Sequence, residues 1–131
     1  MNSRTETQSI ESDAELAAVV ALLAEPTRIP DWAPAFADAV TLDDGSRWRA
    51  TKDGQDFSVR VVVNREAGTV DYLREISPGR EGGAFIRVVP RPGGGSVVIM
   101  TLPVAPSAER AALAATLRDE LNALVNLVES S

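Results

Sequence analysis

The chain contains no cysteine and no histidine. Those two gaps remove the thiol nucleophile, the disulfide, the Cys/His zinc site, the imidazole base and the Ser-His-Asp triad. Lysine and tyrosine occur once each, as Lys52 and Tyr72, so acid–base work falls to Asp, Glu, these two side chains or bound water. No apolar run approaches the about 18 residues that cross a bilayer, which predicts no membrane insertion. The first residues, Met1-Asn2-Ser3-Arg4-Thr5-Glu6, carry none of the apolar character of a secretory signal, and the expected compartment is the cytoplasm. Basic runs are also missing. The nearest is Arg47 and Arg49, two apart, in a chain with 13 basic and 19 acidic residues and a net charge of −6. Such a balance repels phosphate backbones and anionic lipid surfaces, so neither nucleic acid nor a charged membrane is an expected partner.

What is present is a chain of 131 residues, 44% of them hydrophobic, enough for a single domain over residues 1–131 with one core. Residues 4–10 alternate weakly and are rich in Thr and Ser, as a strand is. Ser12-Asp13-Ala14-Glu15 has the spacing of a capping box, and the helix after it places Leu16, Val19, Val20 and Leu23 on one stripe. Pro26 ends that helix. A second short helix, with Ile29, Trp32 and Phe36 inward, follows between Pro26 and Phe36.

From about residue 40 the period changes to two. Six strands are expected near 39–42, 46–52, 55–63, 69–76, 84–90 and 96–103, split by Gly- and Asp-rich turns that make consecutive antiparallel hairpins. Ser107 can cap the last helix. There Leu113, Leu117, Leu121, Leu124 and Val128 recur at three or four, opposite Arg110, Arg118, Asp119, Asn122 and Asn126.

This order predicts an α+β fold: a seven-stranded curved antiparallel sheet wrapped around a long C-terminal helix, with two short helices between strands 1 and 2. In this helix-grip order the sheet must bury one face against that helix. On the stretches Trp32-Ala33-Pro34-Ala35-Phe36, Gly68-Thr69-Val70-Asp71-Tyr72, Arg87-Val88-Val89-Pro90, Gly95-Ser96 and Glu120-Leu121-Asn122-Ala123-Leu124, the chain resembles the START-like (SRPBCC) superfamily, in its polyketide cyclase/dehydrase-like bacterial branch. The resemblance covers essentially the whole chain. It implies a hydrophobic cavity between sheet and helix that relatives use for lipids, polyketides, hormones or aromatic intermediates. Some relatives are enzymes and many only bind. No universal catalytic motif transfers.

Turn lengths set an expected register. A two-residue turn at Asp53-Gly54 pairs Ala50 with Phe57 and Trp48 with Val59. A turn over 64–68 pairs Val61 with Asp71, and a loop over 77–83 pairs Leu73 with Arg87. One face then carries Trp48, Phe57, Val59, Asp71, Leu73, Glu75, Phe85, Arg87, Ile99 and Thr101, and we take it as concave. With Trp32 and Phe36 at the rim and Leu117 and Leu121 from the last helix, these are the candidate ligand-binding residues, Glu75 excepted. An Asp71–Arg87 or Glu75–Arg87 ion pair is expected. It serves either as a polar ligand anchor or as a structural bridge. The opposite face, with Val62, Val70, Tyr72, Ile86, Val88, Val98 and Met100, is then an apolar surface fit for homodimerisation.

Gly93-Gly94-Gly95 lacks the Lys and Ser/Thr of a phosphate loop, and Asp43-Asp44-Gly45 lacks the spacing of a calcium loop. No metal and no cofactor are expected. Gly82-Gly83 reads as a hairpin tip and a candidate lid. Binding of a small hydrophobic molecule without chemistry ranks first. A metal-free cyclase or dehydratase using carboxylate acid–base chemistry ranks second, and a protein-interaction or homodimerisation module third.

Overall fold

The computed structural model describes residues 5–45, 47–105 and 109–130. The elements run β1 (Thr5–Ser12), α1 (Leu16–Leu23), a 3₁₀ turn (Pro26–Arg28), α2 (Ile29–Trp32), β2 (Ala39–Asp44), β3 (Arg47–Lys52), β4 (Gln55–Asn64), β5 (Thr69–Ser77), β6 (Arg80–Pro90), β7 (Ser96–Pro103) and α3 (Arg110–Glu129). All strands pair antiparallel in one curved sheet of order β1-β7-β6-β5-β4-β3-β2. Only the first strand leaves chain order, lying beside the last. The α+β helix-grip expectation is therefore met.

Burial alternates along the strands. Val70 and Tyr72 of β5, Ile86 and Val88 of β6, and Val98 and Met100 of β7 are each 4% exposed or less. They form one continuous inner face because Val70 pairs with Ile86, Ile86 with Met100 and Val88 with Val98. The helices cover this face. Val19, Val20 and Leu23 of α1, with Leu117, Leu121 and Leu124 of α3, complete the core. Each such side chain contributes about 1.5–3 kcal/mol on burial.

Two polar ties hold α3 to the β1 end of the sheet. Near its start, Arg110 donates to Glu6 (2.9 Å), which also accepts from Gln8 (2.7 Å). These bonds hold the Glu6 carboxyl below the usual carboxylate range. At its end, Glu129 accepts from the Ser12 hydroxyl (2.7 Å) and the Asp13 amide (2.9 Å).

That second tie displaces the expected capping box. Ser12 belongs to β1. Its hydroxyl accepts from the Ala14 amide (3.0 Å), while Glu15 accepts from the Gly95 amide (3.1 Å) and starts α1 without a side-chain cap. Tertiary partners across the sheet took both side chains. Ser107, the expected cap of α3, lies outside the described residues.

The hairpins decide which side chains face inward. The Asp53-Gly54 turn follows expectation. Both residues have positive φ, 52° and 79°, and Ala50 pairs with Phe57. The next turn differs by one residue. Asn64 pairs with Thr69 around a four-residue loop, so Val61 faces Tyr72 and Val62 faces Asp71. Asn64 Oδ1 accepts from the Ala67 amide (3.0 Å) and Gly68 enters at φ 71°, which closes the loop that tightly.

A one-residue slip turns every following side chain over. Asp71, Leu73, Phe85, Arg87, Ile99 and Thr101 therefore lie on the outer face. Val70, Tyr72, Ile86, Val88, Val98 and Met100, expected on an apolar dimer surface, are core. The β5–β6 hairpin is also longer than expected. Ser77 pairs with Arg80, and Gly82 and Gly83 are strand residues opposite Arg74 and Leu73 rather than a lid.

Gly68 is constrained twice. A Cβ there would sit 2.3 Å from the Val88 carbonyl oxygen, and its φ suits glycine. Gly68→Ala is expected to destabilise by about 2 kcal/mol or more, read as a lower urea midpoint with an unchanged slope. A midpoint equal to wild type would refute this account of the turn.

Candidate functional site

Between the inner sheet face, α2 and α3 lies a cavity of about 180 Å³. The α2 segment lines it with Ile29, Trp32, Ala33, Ala35 and Phe36. The 3₁₀ turn at Pro26 and the prolines at 30 and 34 keep this segment from forming one long helix, so it folds across the sheet end. The sheet contributes Tyr72, Ala84, Met100 and Leu102, and α3 contributes Leu113, Thr116, Leu117 and Glu120. An adjoining surface groove shares Trp32, Ala35, Thr116 and Glu120 with the cavity. These four residues stand where the interior meets solvent.

Most of the wall is apolar, and its polar atoms differ sharply in state. The Tyr72 hydroxyl donates to the Leu23 carbonyl, and burial raises its pKa. Thr116 donates to the Ala112 carbonyl (3.1 Å). The Trp32 indole packs 6.2 Å from the Tyr72 ring, and its Nε1 is buried with no hydrogen-bond partner. Glu120 is 9% exposed, and no described residue makes a hydrogen bond or ion pair with it. Desolvation, with the Asp119 charge adding, pushes its carboxyl up to about 7. The site therefore combines an apolar chamber, a carboxyl poised near neutrality and an unused N–H donor.

Trp32, Phe36 and Leu117 of the sequence candidates line this cavity. Leu121 is buried in the adjoining core. Trp48, Phe57 and Val59 share the concave face but lie beyond the cavity wall. Phe57 packs edge-on against Phe36 (5.5 Å) under the Arg74 guanidinium (4.0 Å), sealing that end of the sheet. Asp71, Leu73, Phe85, Arg87, Ile99 and Thr101 face outward, for the register reason above. The expected Asp71–Arg87 pair does form, at 2.7 Å, but on the outer face, with the two side chains 20% and 45% exposed.

Sequence reasoning passed over Glu120 although a signal was available. It stands at i+7 from Leu113 and i+3 from Leu117, squarely on the apolar stripe of α3. A carboxylate there is either paired, protonated or functional.

Residues 4–129 match the family model described as polyketide cyclase / dehydrase and lipid transport. Among solved structures, the protein XoxI from Bacillus cereus superposes with a TM-score of 0.74 at 20% identity, over 96% of both chains. The Zhui aromatase/cyclase from Streptomyces sp. R1128 superposes with a TM-score of 0.70 at 17% identity, over 96% of this chain and 93% of that one. The di-domain ARO/CYC BexL of the BE-7585A biosynthetic pathway gives 0.70 at 24% identity, over 97% of this chain and 47% of that one. At these identities the likeness establishes the fold. No curated protein matches the chain in sequence.

The Glu120 shift has a definite sign. Its folded value, about 7, lies above the ordinary 4.5, so its contribution to stability is full below about pH 4.5 and is lost as pH rises through 7. The loss is on the order of 3 kcal/mol. Glu120→Gln is expected to match wild type near pH 5 and to melt higher at pH 8, in thermal scans of ligand-free protein. Parallel pH profiles for the two proteins would show that Glu120 is not desolvated. Arg87→Leu, which breaks the outer pair and a bond to the Ile86 carbonyl (2.9 Å), is expected to cost about 1 kcal/mol and to leave binding in the cavity unchanged. A drop in affinity there would return the anchor role to Arg87.

Proposed function

The chain belongs to the polyketide cyclase/dehydrase and lipid transport family, and from that premise we propose that it binds a small hydrophobic, aromatic-sized molecule in the cavity between sheet and α3. The family and the aromatase/cyclase-like fold support a ligand-binding or cyclase role. The carrying observation is the cavity itself, about 180 Å³ and walled mainly by Ile, Leu, Met, Phe, Trp and Ala side chains. An apolar void of about 150 Å³ accommodates benzene, so this chamber has the size of one substituted ring rather than of a fused polycycle. Burying such a ring would satisfy the dispersion contacts that the empty wall lacks.

Glu120 favours a second reading. A carboxyl near neutrality can take and return a proton, as a cyclase or dehydratase requires, without metal or imidazole. The two readings share the chamber and differ in turnover.

Toluene, followed by calorimetry, tests the shared premise. Wild type is expected to bind one equivalent saturably. Ala84→Phe, which places a ring inside the cavity wall, is expected to weaken binding at least tenfold with the fold retained by circular dichroism. Absence of saturable binding to wild type, or equal binding by the variant, would remove the cavity as the site.

A further inference from the structure

The cavity holds four polar side chains, and two of them are already spent. Tyr72 donates to Leu23 and Thr116 to Ala112, both to main-chain carbonyls of their own surroundings. Trp32 and Glu120 are not. Trp32 is 3% exposed and its Nε1 meets no acceptor. Glu120 is 9% exposed and meets no donor among the described residues. The two are therefore not bonded to each other, although both line the cavity and the groove beside it. A buried donor without a partner and a desolvated carboxylate at the chamber's edge are each costly, and the cost falls when a ligand supplies a partner to both.

That requirement sorts ligand chemistries. An ammonium group would serve Glu120 but leave the Trp32 N–H without an acceptor. A ketone would accept from Trp32 but offer no donor to Glu120. A carboxylate would add a second negative charge beside Glu120. One hydroxyl serves both, because its oxygen accepts while its proton is donated.

We propose that Trp32 and Glu120 form the polar end of the cavity and select a hydroxylated single-ring aromatic, a phenol, whose oxygen accepts from Trp32 Nε1 and whose proton is donated to the Glu120 carboxylate. This inference rests on the binding reading above and names the ligand class for that site. The fit in size follows from a chamber near that of one ring. Ionised Glu120 gains a donor on binding, so the phenol also offsets the penalty of its burial.

The test titrates p-cresol, toluene and benzylamine into the protein by calorimetry at pH 7.5. Wild type is expected to bind p-cresol about tenfold or more tighter than toluene, the increment of one charge-assisted hydrogen bond. Trp32→Phe and Glu120→Leu should each cut the preference for p-cresol over toluene by about threefold or more, Glu120→Leu the further of the two, while leaving toluene within about twofold. Because either variant can disturb packing, the indole N–H resonance of Trp32 in wild type gives a second readout. It should move downfield with p-cresol and not with toluene. Toluene and p-cresol binding equally, a preference that survives both substitutions, or tighter binding of benzylamine would each overturn the proposal while the cavity reading stands. Failure of all three probes to bind would overturn both.

Discussion

The four-residue loop between Asn64 and Thr69 is the constraint on which the rest of the molecule depends. It sets the pairing of β5 on β4, and β6 and β7 follow in register. With Asn64 opposite Thr69, the side chains of Val70, Tyr72, Ile86, Val88, Val98 and Met100 point at the helices. One residue more in that loop would send them to solvent and bring Asp71 and Arg87 into the core. Burial of two charges there would cost several kcal/mol even when paired. The Asn64–Ala67 bond and the positive φ of Gly68 close this loop, and the Val88 carbonyl leaves no room for a side chain at Gly68.

The inner face so defined needs a cover, and α3 with α1 provides it. The cover is complete near α1 and β1, where Ser12, Asp13 and Glu129 tie the elements together and Arg110 reaches Glu6. It is incomplete beside α2, where three prolines hold the chain in short turns and the side chains of Ala33, Ala35 and Ala84 are too small to fill the space. The cavity is thus a consequence of how little side-chain volume the sequence provides there. Its polar groups without a side-chain or main-chain partner are the Glu120 carboxyl on the α3 stripe and the Trp32 Nε1, which line the same chamber.

The chamber has few polar groups. Without histidine, the only titrating group of the wall near neutrality is Glu120, held there by desolvation rather than by a partner. This makes the carboxyl responsive to what enters. A donor stabilises its charge, and an apolar guest favours its proton. Binding and protonation are then linked at one side chain.

Composition, turn chemistry and period sufficed for the architecture. The 3.6-residue stripe from Leu113 to Val128 predicts α3, the Gly- and Asp-rich turns predict the hairpins, and the absence of cysteine and histidine rules out thiol and imidazole chemistry, because each is a local property of the chain. Trp32, Phe36 and Leu117 were also legible, since they lie outside the sheet and do not depend on its parity. The sheet's contribution to the cavity was not legible. Alternation states that a strand has two faces, but only the pairing across each turn says which face is covered, and that pairing turned on one residue at Asn64–Thr69. The Asp71–Arg87 attraction was predictable as a pair, and its placement outside was a tertiary decision. So was the role of Glu120. Its spacing was readable in the sequence, but its perturbed carboxyl and the unsatisfied indole in the same lining exist only once α2 and α3 enclose the same space.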